Sequence, residues 1–321
     1  MGGEPFLRVI LCLLNCTGFN YFERRSMFLN PASTGYIMKF LESLVSDKTV
    51  GIPYSDGLLY LSNERTNKNE YENFPEDCIL LTQSTRIYKN DHGIKNKILP
   101  IPLDDDTFEF GLKKILEKMV PNLYTPWEYR KPIAYWRGSG GSGKNMENHI
   151  RTKVIEQLFD HDGSDALYVR TRDTLEEYSS TKYWDKRYDG SYQPVPMSEY
   201  VQHKYIIIID NFILTSSYQW IFGTGSVPII VEDPLNNYWF KSFLIPYVNY
   251  VPVTHPSVGQ MNLKEVIDFL KNNDDVAKNI AKNALELSYK IFSSEFQREY
   301  IKNNLGVLSE QGVLSEQGVQ E

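Results

Sequence analysis

The sequence predicts an α/β protein whose second half is a doubly wound, parallel-sheet domain. Runs of strand length, such as Lys204–Asp210 (KYIIIID) and Ser226–Glu232 (SVPIIVE), are apolar at nearly every position, so both faces of the sheet they form are covered. Segments with helical periodicity separate these runs, as the crossovers of a parallel sheet require. A Gly-rich turn, Gly138-Ser139-Gly140-Gly141-Ser142-Gly143-Lys144-Asn145, joins one strand to the next helix.

In the first half, Phe6–Leu14 reads as an opening strand, and residues 33–46 carry apolar side chains at helical spacing. Short strands follow at Lys48–Pro53 and Cys78–Thr82, with the polar stretch Ser62–Glu76 as a loop between them. Ile98–Leu103 is a further apolar run, and Phe108–Met119 an amphipathic helix that Pro121 ends. Pro121–Pro132, which contains three prolines, reads as a linker between domains. Beyond it, strands are expected at Ile133–Trp136, Ala166–Arg170, Lys204–Asp210, Ser226–Glu232 and Asn249–Val253. The helices between and after them fall near 146–159, 215–223, 262–271 and 274–304. The expected domains are 1–128 and 129–284, with a helix at 285–304 returning to the first domain. Residues 305–321, where GVLSEQ occurs twice in succession, are expected to form an unstructured tail.

The 321 residues are 41% hydrophobic and 23% charged, an ordinary globular balance that argues against disorder. A net charge of −7 without a Lys/Arg stripe disfavours nucleic acid as a partner. Cys12, Cys16 and Cys78 lack partners at metal-ligand spacing and read as free thiols. The apolar run Phe6–Leu14 is too short to span a bilayer and is interrupted by Arg8. No cleavage pattern follows it, so the expected location is the cytoplasm.

Several residues carry chemical promise. Backbone N–H groups of the Gly-rich turn and the helix start behind it suit a phosphate or diphosphate. The same turn nearly spells a nucleoside-triphosphate loop, with Asp210 ending an apolar strand as a magnesium ligand would. Asn145, however, stands where that loop needs a hydroxyl. Asp104-Asp105-Asp106 precedes a helix and reads as a cap. Asp56 follows a strand in Pro53-Tyr54-Ser55-Asp56-Gly57, and a carboxylate there suits a general base as well as an ordinary turn. His203 reads as a surface or capping residue.

Order and spacing over roughly 130–290 resemble the CAP10-like glycosyltransferases, family 90, which include the protein O-glucosyltransferases. The resemblance runs through Ile133-Ala134-Tyr135-Trp136-Arg137-Gly138-Ser139, then Arg151, and through His203-Lys204-Tyr205. It is strongest at Gly225-Ser226-Val227-Pro228-Ile229-Ile230-Val231 and Pro246-Tyr247-Val248-Asn249-Tyr250-Val251-Pro252-Val253, and continues at Asn272-Asn273-Asp274-Asp275-Val276-Ala277. It implies a GT-B fold, two Rossmann-like domains facing a cleft, with the donor held mainly by the second. It further implies an inverting transfer of glucose or xylose from a UDP-sugar to a hydroxyl of a glycan or protein, with no obligatory metal and no other cofactor. Carried over, Arg137, Gly138, Ser139 and Arg151 would meet the donor, and Asp56 would be the catalytic base. The family's arginine after the Tyr205–Asp210 strand is replaced here by Ser217, and Thr215 and Ser217 supply hydroxyls instead. Lys144 would restore the lost charge, and Glu232 would bind ribose or sugar hydroxyls. The competing readings are a P-loop ATP-dependent kinase or NTPase, and a non-catalytic sugar-nucleotide-binding relic.

Overall fold

The computed structural model describes residues 9–12, 36–37, 40, 50–53, 79–86, 98–138, 149–169, 183–185, 187, 195–210, 214–215 and 217–316. The chain divides into two compact units. The first comprises Met1–Gly111, Leu235–Lys241 and Lys290–Glu321; the second comprises Leu112–Pro234 and Ser242–Tyr289.

The first unit holds a four-stranded parallel sheet of β1 (Val9–Cys12), β2 (Val50–Pro53), β3 (Ile79–Thr82) and β5 (Ile98–Pro100), in that order. A second, two-stranded sheet pairs β4 (Ser84–Arg86) antiparallel with β10 (Asn236–Tyr238). Helix α1 (Asp105–Phe110) starts on Asp104, whose Oδ1 accepts the Thr107 N–H at 2.8 Å, so the acidic triplet opens with an N-cap. Gly111, at φ +75°, ends α1 by a turn that an L side chain resists, and α2 (Leu112–Met119) begins after it. The single helix expected over 108–119 is therefore two. Around α1 pack Ile37, Ile101 and Ile301, together with Phe108 of the helix itself.

The long helix expected over 274–304 is also interrupted. Helix α7 (Asp274–Ile291) stops, and α8 (Ser294–Glu316) restarts behind Ser293, whose Oγ accepts the Phe296 N–H at 3.2 Å. Helix α8 continues to Glu316, through residues expected to form a tail. Leu, Glu and Gln in the repeat are good helix formers, and extending an existing helix avoids the cost of a new nucleus. Among the described residues, no helix is long and apolar enough to cross a membrane.

The second unit is built on five strands: β6 (Lys131–Gly138), β7 (Ser164–Tyr168), β8 (His203–Ile209), β9 (Val227–Glu232) and β11 (Val251–Thr254). They form one sheet in the order β11-β9-β8-β6-β7, parallel throughout. The isoleucine run of β8 is central and buried on both faces, as its lack of polar alternation requires. Helices α3 (Ile150–Leu158), α4 (Met197–Tyr200) and α5 (Tyr218–Phe222) lie between successive strands, and α6 (Leu263–Asn272) follows β11. One core joins Trp136, Val154, Ile207, Ile229, Val231, Ile267 and Ala277 across the sheet, α3, α6 and α7.

The proline-rich stretch at 121–132 belongs to this unit. Trp127 Nε1 donates to Asp274 Oδ2 at 3.0 Å, and Arg130 Nη1 donates to Ser226 Oγ at 2.8 Å. Its prolines shape a segment fastened onto the domain, and the boundary between the units falls earlier, at Gly111. Both units thus have the parallel α/β construction expected of a GT-B pair.

Candidate active site

Strand β6 pairs with β7 on one side and with β8 on the other. The winding therefore reverses direction between β6 and β8, and in open parallel sheets a crevice for ligands opens at the carboxyl ends of such strands. Gly138 ends β6, Asp210 follows β8, Glu232 ends β9, and Arg151 lies in the first turn of α3, the helix after β6. Thr215 and Ser217 follow Asp210 in the approach to α5. Six of the residues singled out in the sequence thus share one sheet edge.

The contacts at this edge fall into two groups, one around Arg151 and Asp210 and one around Glu232. The Thr215 N–H donates to Asp210 Oδ1 at 3.3 Å, and the hydroxyls of Thr215 and Ser217 lie 3.1 Å apart. Burial lowers the Arg151 pKa, and the negative charge of Asp210 opposes that shift. The guanidinium remains a cation, with its carbon 5.8 Å from the centre of the Trp136 ring. His149 caps α3 by accepting the Arg151 N–H on Nδ1 at 3.3 Å, which fixes the turn that carries Arg151. Tyr250, on the loop before β11, reaches Glu232 Oε2 with its hydroxyl at 3.4 Å. Burial and the Glu232 charge push the Tyr250 phenol above its ordinary range, so it acts as a donor.

Arg137 is placed differently. Along β6, Ala134 and Trp136 join the core, so Tyr135 and Arg137 face the other side of the sheet. The Arg137 side chain is only 1% exposed. Its Nε donates to Asp185 Oδ2 and its Nη2 to Asp165 Oδ1, each at 2.7 Å. Nη1 donates to the carbonyls of Trp136 and Asp165, at 2.9 and 2.8 Å. A donor phosphate would have to displace one of these carboxylates to reach the guanidinium. Arg187 adds a second cation to Asp185, at 2.5 Å, and also pairs with Glu199 at 2.9 Å. Burial raises the Asp185 pKa, but the hydrogen bonds from Arg187 and Arg137 outweigh it and hold the carboxyl at about 2.

His203, expected at the surface, is 3% exposed. Its ring stacks on Tyr135 with centroids 4.2 Å apart, and Nδ1 lies 3.0 Å from the Glu199 carbonyl. Burial pushes its pKa down to about 4. Among the other expected site residues, Asp56, Ser139 and Lys144 lie outside the described residues, with most of the Gly-rich turn. The sequence reading missed Asp165, Asp185, Arg187 and Glu199. Their only signal was acidic or basic character, and the fold had to bring them together.

Comparisons with known proteins point to one family. The chain is 27% identical over 206 residues to protein 179R of Invertebrate iridescent virus 6, covering 57% of this chain and 17% of that protein. Protein O-glucosyltransferase 1 of Mus musculus is 25% identical over 161 residues, covering 49% of this chain and 36% of its own length. The O-glucosyltransferase rumi homolog of Aedes aegypti is 26% identical over 164 residues, covering 51% and 38%. The matches therefore span well under half the length of these relatives. Among solved structures, sucrose-phosphate synthase from Thermosynechococcus elongatus aligns with a TM-score of 0.45 at 10% identity, covering 88% of this chain and 72% of that one. The model of glycosyl transferase family 90 matches residues 111–306, most of the chain and all of the second unit, and the protein belongs to that family.

Proposed function

We propose that the protein is an inverting glycosyltransferase that moves glucose or xylose from a UDP-sugar to a hydroxyl of a glycan or protein. The observation that carries this reading is the gathering of Arg151, Thr215, Ser217 and Glu232 at the switch-point edge of the second sheet, in a chain of family 90. The names of the O-glucosyltransferase relatives support glucose as the donor sugar.

In this reading the diphosphate lies against the start of α3. Arg151 supplies the cation, Thr215 and Ser217 supply hydroxyl donors, and the Ser139–Lys144 turn adds N–H groups and an ammonium. Glu232, steadied by Tyr250, accepts hydroxyls of the ribose or sugar. The acceptor oxygen attacks the anomeric carbon opposite the departing diphosphate. A base, for which Asp56 is the candidate, takes the acceptor's proton. Charge growing on the leaving UDP is met by a guanidinium already in place, without a divalent metal. The single positive charge of Arg151 does part of the work of the arginine replaced by Ser217. Arg137 supports the site by fixing the β6–β7 edge through Asp165 and Asp185.

The test is release of UDP from UDP-glucose, UDP-xylose, UDP-N-acetylglucosamine and GDP-mannose, each with EDTA and with magnesium. Release from a UDP-hexose or UDP-pentose that persists in EDTA is the expected result. Strict magnesium dependence, or hydrolysis of ATP alone, would contradict the reading.

A further inference from the structure

At the opposite, amino-terminal edge of the second unit's sheet lies a pocket of about 240 Å³. Arg130 directly precedes β6, and the Thr224–Ser226 turn directly precedes β9. Ser226 Oγ donates to the carbonyl of His203, the first residue of β8, at 2.7 Å. The pocket's charged lining residues are Arg130, Lys278 and Lys282, and among the described residues no carboxylate lines it. In a chain of net charge −7, a pocket whose charged lining residues are all cations is not a sample of the average surface.

Arg130 gives the pocket its distinctive chemistry. The residue is 6% exposed, and among the described residues its guanidinium donates only to neutral acceptors. These are Thr125 O and Thr224 O at 2.9 Å, Ser226 Oγ at 2.8 Å and Leu123 O at 3.4 Å. Buried charges are ordinarily matched by an opposite charge, and this one is matched only by dipoles. Burial lowers its pKa to about 10, still far above neutrality, so the charge persists. Lys278 pairs with Glu128 at 2.6 Å and Lys282 stands 3.8 Å from Glu286. Both pairs are exposed, and such pairs hold their partners weakly. Trp127, Leu285 and Tyr289 give the rest of the wall an apolar and aromatic part, beside Thr125 and Thr224.

We propose that this pocket is a second ligand site, taking a small organic anion whose carboxylate or phosphate meets Arg130, Lys278 and Lys282 and whose compact apolar body lies against Trp127, Leu285 and Tyr289. Its volume falls just below the ~300 Å³ at which pockets for drug-sized ligands begin, which restricts the ligand to about one ring or a short chain. The site lies across the sheet from the proposed donor edge, so it leaves that edge open.

Benzoate and phenyl phosphate, with benzyl alcohol and inorganic phosphate as controls, test this on the full chain by calorimetry in saturating UDP. At least one of the two aromatic anions is expected to bind, and each control at least roughly tenfold more weakly, a difference of ~1.4 kcal/mol. Lys278→Glu/Lys282→Glu alters exposed positions and is expected to weaken the anion by roughly tenfold or more while leaving the melting temperature of the free protein nearly unchanged. Arg130→Met should abolish anion binding, and the double variant decides the matter if Arg130→Met does not fold. Absence of binding by both aromatic anions would overturn the proposal. So would equal affinity for benzyl alcohol or inorganic phosphate, loss of binding in saturating UDP, or unchanged affinity in the double variant.

Discussion

The Trp136 indole lies across the space that a Cβ on Gly138 would occupy, with Cζ2 2.5 Å from that position. Both residues face the same side of β6, and Trp136 is a 5% exposed member of the core. Glycine at the end of β6 is thus a packing requirement. Gly138→Ala is expected to force the ring to move, at a cost of about 1–3 kcal/mol in chemical denaturation. The same shift disturbs the ring under Arg151, so donor affinity should fall with stability. Unchanged stability in Gly138→Ala would show that the indole is not held where the structure places it.

A second prediction concerns the buried guanidinium of Arg137. Asp185 is 5% exposed and bonded to both Arg137 and Arg187, whereas the Asp165 side chain is 39% exposed. Asp185→Asn leaves the buried Arg137 with only the partly exposed Asp165 as a counter-charge and should cost about 3 kcal/mol. Asp165→Asn should cost about 1 kcal/mol or less, because water can replace an exposed partner. Equal losses in the two variants would refute this division of roles.

His203 provides a pH signature. Its pKa is about 4 in the folded protein, below the ordinary value of 6.5. Between these values the unfolded chain binds a proton that the native state refuses, so stability falls as pH drops from 6.5 to 4 and is unaffected by this group above 6.5. The difference corresponds to about 3 kcal/mol at the acid end. His203→Phe preserves an aromatic ring against Tyr135 and cannot titrate. Its stability profile should be flatter over that window, and a slope equal to that of the wild type would contradict the assignment.

The sequence made the second sheet legible because β8 and β9 are apolar throughout, and only a two-faced parallel sheet accommodates such strands. The family resemblance singled out Gly138, Arg151, Thr215, Ser217 and Glu232, and the sheet order brings these residues to its switch-point edge. Helix breaks were harder to read. Apolar periodicity runs through Gly111 and Ser293, and the left-handed turn at one and the side-chain cap at the other are local events that periodicity does not register. Arg137 resisted prediction for a different reason: its partner Asp185 lies 48 residues away, and only folding reveals that the two meet. The same holds for the first unit, assembled from three separate stretches of chain, and for the proline-rich segment at 121–132, whose attachment depends on Ser226 and Asp274.

Arg151 is the residue on which the donor site turns, and its replacement by methionine preserves much of the side chain's length and apolar contact with Trp136. The decisive measurement is calorimetric titration of the wild type and of Arg151→Met with UDP, in EDTA, with ATP and magnesium as the comparison. UDP is expected to bind the wild type without metal and to bind the variant at least roughly tenfold more weakly, a difference of ~1.4 kcal/mol. Binding of ATP with magnesium but not of UDP, or equal UDP affinity in the two proteins, would contradict a sugar-nucleotide site at this edge.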